Sequence, residues 1–342
     1  VRTAFGEQFD VPPGYLNTAS IGIPPARVAD AVAESVARWR SGADSAPGFD
    51  ESVAVSRAAW AGLVGVDPGR VAIGASVSQQ VGMVAAGVPD GTRVVVARGE
   101  FTSATFPFAA QAGRGVTVTE VDHADLAERA GEFDLAVVSI VQSAGGAIAD
   151  LAALRACGAR VLLDATQAVG WLPLDLGWAD WVVGAGYKWL LSPRGAAWLA
   201  IRPDAAEWTH PVAANWYAGE DPWDTVYDLP LRLAADARAY DLAPVWLAHV
   251  GAAAALPWLA SLDRAAVHRH CVGLADDLLA RLDLPPRGSA IVSLDLPGAA
   301  DRLAAAGIRC AVRAGRARLA CHIYNTEEDV ADAVRAITRD RR

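Results

Sequence analysis

The chain has 342 residues, of which 53% are apolar and 20% charged, and it carries a formal net charge of −9. That is the profile of a globular protein long enough for two lobes with a sizeable core, on a prior of roughly 150 residues per domain. The acidic balance excludes a nucleic-acid partner, which needs a basic face, and no apolar run is long enough to span a bilayer.

Four cysteines, Cys157, Cys271, Cys310 and Cys321, show no C-x-x-C spacing, so neither a zinc site nor a disulfide framework is expected. His268 and His270 lie two apart on an expected helix, where side chains diverge, and no metal is expected. Val1 is followed by Arg2, Thr3 and Gly6 rather than by an apolar stretch; no signal peptide is expected and the cytoplasm is the default compartment.

Residues 1–14 read as a polar lead-in, and Tyr15-Leu16-Asn17-Thr18-Ala19-Ser20-Ile21-Gly22 as a short extended piece with a turn. Pro24-Pro25 opens a helix over 26–39, and a second helix runs over 52–64 to Gly65. Val71-Ala72-Ile73 is a strand, after which Gly74-Ala75-Ser76-Val77-Ser78 turns into a helix to about 87. Small residues entering a helix leave its first N–H groups pointing outward, and the dipole adds partial positive charge, so an anion fits there; a plain serine cap is the bland alternative.

Strands follow at 93–97 and 134–141, with a helix around Pro107 between them. A helix over 151–157 leads to a buried strand that ends on a carboxylate, Val161-Leu162-Leu163-Asp164. Strands over 181–183 and 197–201 flank the run Gly184 to Gly195. Residues 203–244 show little periodicity but carry Trp208, Trp216, Tyr217, Trp223, Tyr227 and Tyr240. Apolar helices over 245–262, broken by Pro257, and 263–282 come next, then strands at 290–296, 308–312 and 317–320. Thr326-Glu327-Glu328-Asp329 opens the last helix as a capping box. Strands alternating with helices, with polar residues gathered at strand ends, indicate an α/β fold whose mainly parallel sheet carries a site at its carboxyl edge.

Lys188 is the only lysine, against 29 arginines. Arginine stays charged at any ordinary pH, whereas a desolvated lysine amine can lose its proton and attack a carbonyl, which makes Lys188 a candidate Schiff-base residue. The pair Asp164-Ala165-Thr166-Gln167-Ala168-Val169-Gly170 and Gly186-Tyr187-Lys188-Trp189-Leu190-Leu191-Ser192-Pro193-Arg194-Gly195 resembles the cofactor signature of the class V aminotransferase family of pyridoxal phosphate enzymes, in its cysteine-desulfurase-like and isopenicillin-N-epimerase-like branch. The matches extend from about Tyr15 to Thr326.

The resemblance implies a fold-type I enzyme with a large cofactor-binding domain over 15–244 and a small domain of 1–14 plus 245–342. It also implies a homodimer with sites near the subunit interface and pyridoxal 5'-phosphate bound to Lys188. By the same resemblance Asp164 faces the pyridine nitrogen, Gln167 the ring hydroxyl, Phe101 stacks on the ring, and Gln142 brings an amide near it. Val77, Ser78 and Tyr187 hold the phosphate, while Arg318, in Arg318-Leu319-Ala320-Cys321-His322-Ile323-Tyr324-Asn325-Thr326, binds the substrate carboxylate. Asn17 and Trp216 are further substrate-side candidates, and Arg313 and Arg316 read as surface or secondary contacts.

Two departures stand out. Ala243-Pro244 replaces the family's Gly-Thr, whose hydroxyl reaches the neighbouring subunit's phosphate, and the link from Val312 to Arg318 lacks the sulfur-accepting cysteine of the desulfurases. The implied reaction is transamination of an amino acid, with β-elimination or racemisation as alternatives. A nucleotide-binding oxidoreductase, suggested by Val182-Val183-Gly184-Ala185-Gly186, is the remote reading, because the third glycine position holds Trp189.

Overall fold

The computed structural model describes residues 1–339. The lead-in is not featureless: β1 (Arg2–Ala4) and β2 (Glu7–Phe9) form an antiparallel hairpin. Phe5 and Gly6 turn it in left-handed conformations, a signal that the polar composition hid. Then come α1 (Ala26–Arg40), α2 (Asp50–Val64), β3 (Val71–Gly74), α3 (Val77–Gly87), β4 (Arg93–Ala97) and α4 (Thr102–Ala109). They are followed by β5 (Thr117–Val121), α5 (Leu126–Arg129), β6 (Leu135–Ser139), α6 (Leu151–Ala156), β7 (Arg160–Asp164), β8 (Trp181–Ala185) and β9 (Ala197–Ile201).

Seven strands form one sheet in the order β3-β9-β8-β7-β6-β4-β5, all running the same way except β9. Its central strands are apolar on both faces because helices cover both. Val95, Ala136, Val161 and Leu163 pack into the layer that includes α2, while Val94, Val96, Leu135 and Leu162 pack into the layer of α3 and α4. β5 was not anticipated; its Thr-Val-Thr-Glu-Val pattern is that of a half-exposed edge strand rather than a buried run.

The chain continues through α7 (Trp246–Ser261), α8 (Arg264–Ala280), β10 (Ile291–Leu294), α9 (Ala299–Ala305), β11 (Ala311–Arg313), β12 (Arg316–Ala320) and α10 (Glu327–Thr338). Pro257 does not break α7 as expected, because it lies on the exposed side of the helix, where water can donate to the carbonyl that its missing N–H leaves unmet. α7 packs on α1 and α2, and α8 crosses between cores, with Val267 and Cys271 in the large one and Leu274 to Leu279 in the small one. We therefore place the start of the smaller lobe within α8 rather than at 245. Thr326 and Asp329 form the expected capping box. None of the described helices is long and apolar enough to cross a membrane.

The irregular stretch after β9 is fastened to the sheet edge by Asp241, buried against the middle of α2. Its carboxylate accepts from Arg57 Nη1 and Nη2 at 2.9 and 2.7 Å and from the Ile73 N–H at 2.8 Å. Removing one partner of a buried pair leaves the other uncompensated. Asp241→Ala is expected to lower unfolding free energy by about 3–5 kcal/mol, read from the urea midpoint; a shift below about 1 kcal/mol, the worth of an exposed pair, would contradict this assignment.

Candidate active site

The carboxyl ends of β4, β6, β7 and β8 open on one edge of the sheet, and the turns that leave them carry the polar residues. β7 ends on Asp164, which pairs in register with Ser139 of β6 and Val183 of β8. Asp164 is buried, and one of its oxygens accepts from the Thr166 N–H at 2.8 Å. Burial raises its proton affinity, while the bond from Thr166 and the charge of Lys188 pull the other way.

Lys188 follows β8 and is itself buried. Its pKa falls from the ordinary lysine value to about 8; desolvation is the main cause, Asp164 opposes it, and Arg318, Arg313 and Arg194 add to it. Nζ stands 5.4 Å from the Phe101 ring centroid and 5.5 Å from that of Tyr187. The segment 15–22 lies over the lysine's backbone. Gly22 donates to Tyr187 O at 2.9 Å, and a Cβ there would sit 2.0 Å from Lys188 O, so only glycine fits.

Arg318 comes from the other lobe, on β12, and is buried against the same edge. Nη1 donates to Ser143 O at 2.6 Å and Oγ at 3.1 Å, and Nη2 to Ser20 Oγ at 2.7 Å; Nε has no partner among the described residues. Burial, with Arg313 nearby, brings its pKa down to about 10, which leaves it a cation at neutral pH. Asn17 pairs through its backbone with Ala320, two residues beyond Arg318, and its Oδ1 is buried without a partner among the described residues.

Gln167 is buried and fully engaged: Nε2 donates to Ala19 O at 3.0 Å and Ser143 Oγ at 3.1 Å, and Oε1 accepts from Trp189 Nε1 at 2.7 Å. For Gln167 to donate to a ligand oxygen, Nε2 must give up Ala19 or Ser143. Val77 and Ser78 begin α3, whose cap is Ser76, with Oγ accepting from Gln79 N at 3.4 Å. Among the described residues no acceptor meets the N–H groups of Val77 and Ser78. Gly74, Ala197 and Ala185 form one row across β3, β9 and β8, so the start of α3 and the Lys188 turn flank the entry to β9.

Two expected residues point elsewhere. Gln142 sends its amide to Arg98 O at 3.1 Å; its neighbour Ser143, one step along the turn and so on the other side, is the residue that meets Arg318 and Gln167. Trp216 packs on Tyr217 and Trp223, whose polar atoms both hold Asp50, and none of its contacts among the described residues reaches Lys188, Asp164 or Arg318.

Sequence reasoning passed over Ser20, Ser76, Ser143 and Glu100. Glu100 is a buried carboxylate that accepts from the Phe101 N–H at 2.9 Å and from Ser139 N and Oγ at 2.9 and 2.5 Å, so it ties the Phe101 ring to the strand beside Asp164.

The fold and site together define a two-lobed α/β enzyme scaffold whose sheet edge carries a buried amine, a buried carboxylate and, from the second lobe, an arginine. The class V aminotransferase family model matches residues 25–293, and the chain belongs to that family. Its members use pyridoxal 5'-phosphate, and the donor set suits that group: a carboxylate for the ring nitrogen, an exposed ring face for stacking and free N–H groups for the phosphate.

Among relatives, the chain is 26% identical over 310 residues to the uncharacterized aminotransferase YcbU of Bacillus subtilis, covering 83% of this chain and 82% of that one. It is 29% identical over 182 residues to isopenicillin N epimerase of Streptomyces clavuligerus, covering 47% and 46% of the two chains. Similar solved structures include the cystine C–S lyase C-DES in complex with cysteine persulfide, with a TM-score of 0.83 at 20% identity over 96% of this chain and 97% of that one. The cysteine desulfurase of Thermococcus onnurineus has a TM-score of 0.83 at 19% identity, over 96% and 94%. At these identities the two structures bear on the fold alone.

Because Lys188 is the only lysine, its titration can be read chemically. Acylation at the Lys188 peptide of cofactor-free protein, followed by mass spectrometry, should rise with pH around a midpoint of about 8 as the neutral amine appears. A midpoint near the exposed-lysine value of about 10.4 would contradict the desolvated amine.

Proposed function

We propose that this chain acts at the α-carbon of an amino acid, with transamination as the leading reaction and β-elimination as the alternative. The observation that carries the reading is the buried, charge-depleted Lys188 beside Asp164, with Arg318 on the facing wall. When bound, pyridoxal phosphate supplies an electron sink for the substrate carbon. Lys188 would hold it through Nζ and, with a neutral amine, would take and return the α-proton. Asp164 keeps a proton on the ring nitrogen, which deepens the sink.

Phe101 stacks on the ring and moves no proton. The N–H groups of Val77 and Ser78, the Ser78 hydroxyl and Tyr187 are the anion-binding set for the phosphate. Arg318 takes the α-carboxylate in a two-pronged pair, trading its bonds to Ser143 and Ser20 for the ligand.

No cysteine lies on the short connection between β11 and β12, and Cys321 is buried in the small-lobe core, which counts against a persulfide carried on the protein. The activities printed for the relatives, aminotransferase and epimerase, and for the lyase of similar fold, all suit an amino acid held in this way. The working form we propose is a homodimer. Val212, Trp223, Val226, Tyr227, Leu229 and Leu231 are exposed in the 203–244 stretch, an apolar surface of the kind a second copy covers.

Protein saturated with pyridoxal phosphate should absorb in the visible, and Lys188→Ala should lose that band's lysine-bound form; a colourless wild type would contradict the assignment. A panel of amino acids with and without a keto-acid acceptor, analysed by mass spectrometry, separates transamination (product only with acceptor) from elimination (product without it). Arg318→Ala should raise the half-saturating concentration of an amino acid about tenfold or more, the worth of a charged hydrogen bond, and leave that of the matching amine little changed. Equal effects on the two would remove its assigned role.

A further inference from the structure

We infer that the site takes an amino acid with a second anionic group on its side chain, and that Arg313 receives that group. The inference rests on the reading that Arg318 holds the α-carboxylate. The small-lobe sheet, in the order β10-β12-β11, has two faces. Val292, Leu294, Ala317 and Leu319 point into the small-lobe core. By alternation and register, Ser293, Arg318, Arg316, Ala311 and Arg313 share the other face, the one that Arg318 turns toward Ser143 and Lys188.

On that face Ala311 stands opposite Arg318, and Arg313 is the next residue of β11, a diagonal neighbour at roughly 7–8 Å. Ala311 contributes only a methyl group to that face, and the Arg313 side chain beyond it is exposed. β11 and β12 are joined by Ala314 and Gly315, at φ 47° and 75°, the two left-handed residues of a tight hairpin, so Arg313 stands on a short, rigid support.

Its neighbour Arg316 is neutralised by Asp295 at 3.0 Å. Arg313 has no carboxylate within ion-pair distance among the described residues; Nη1 donates only to Val312 O, at 2.8 Å. The charges that act on the lysine are those of Asp164, Arg318, Arg313 and Arg194, and Glu100 in turn feels Asp164. Arg194 lies over the Tyr187 ring at 5.5 Å, in the turn that enters β9 between Lys188 and the start of α3, on the phosphate side. With Arg316 paired to Asp295, Arg313 is the unpaired cation that shares this face with Arg318. In a chain of net charge −9, a cation left unpaired beside the carboxylate site matches an acidic side chain and leaves a neutral one without a counter-charge.

The test uses cofactor-loaded protein and reads half-saturation of the change in its visible absorption on adding aspartate or asparagine, glutamate or glutamine, and O-phosphoserine or serine. In the wild type at least one acidic member should saturate at about tenfold lower concentration than its neutral partner, and the pair that does so tells a carboxylate from a phosphate. Arg313→Gln should bring the members of that pair to within about twofold while leaving the neutral one unchanged, Arg313→Lys should keep part of the preference, and added salt should narrow it. Equal half-saturation within every pair in the wild type, or a preference that survives Arg313→Gln, overturns the inference. A coloured enzyme whose spectrum responds to neutral amino acids alone overturns it too and leaves the proposed function standing, whereas a wild type that takes up no cofactor removes both.

Discussion

An amine taken out of water without a partner to neutralise it is the constraint on which this structure turns. Lys188 has one favourable charge near it, Asp164, against three arginines, and burial outweighs the attraction. A protonated lysine is poorly served there, so the neutral form is present near physiological pH. Arginine at this position would stay charged, and no exchange of Lys188 for the residue that supplies every other long cation in the chain preserves its chemistry.

The rest of the molecule keeps that amine dry and aimed. Residues 15–22 pass between the lobes and touch each part of the site in turn: Gly22 lies on the lysine's backbone, Ala19 receives Gln167, and Ser20 receives Arg318. Within the segment Tyr15 OH donates to Ile21 O, and Tyr324, buried in the large core, hydrogen-bonds the Thr18 hydroxyl. Ser143 joins Gln167 to Arg318, and Glu100 joins the backbone of Phe101 to the strand beside Asp164.

Much of this was legible from local pattern. Val161 to Asp164 and Trp181 to Val183 read as buried strands because their residues are apolar on both faces, and that placed Asp164 and Lys188 at one sheet edge. Gln142 and Ser143 could not be told apart in the same way, since which of two consecutive polar residues enters a site depends on the rotation of a turn that composition does not set. Trp216 belonged to an aromatic cluster whose anchor, Asp50, lies far away in sequence. Ser20 and Glu100 owe their roles to partners over a hundred or nearly forty residues distant, and nothing adjacent to them marks those partners. The β1–β2 hairpin escaped because its turn uses Phe5 at φ 48°, a conformation unusual for a bulky residue.

The central claim is that one amine, Lys188, carries the cofactor. Reduction of the cofactor-loaded protein with borohydride fixes a carbonyl–amine linkage, and digestion with mass spectrometry then locates it. The account predicts a single pyridoxyl adduct, on the peptide that contains Lys188. An adduct confined to the N-terminal amine, or none at all in protein that had taken up the cofactor, would contradict it.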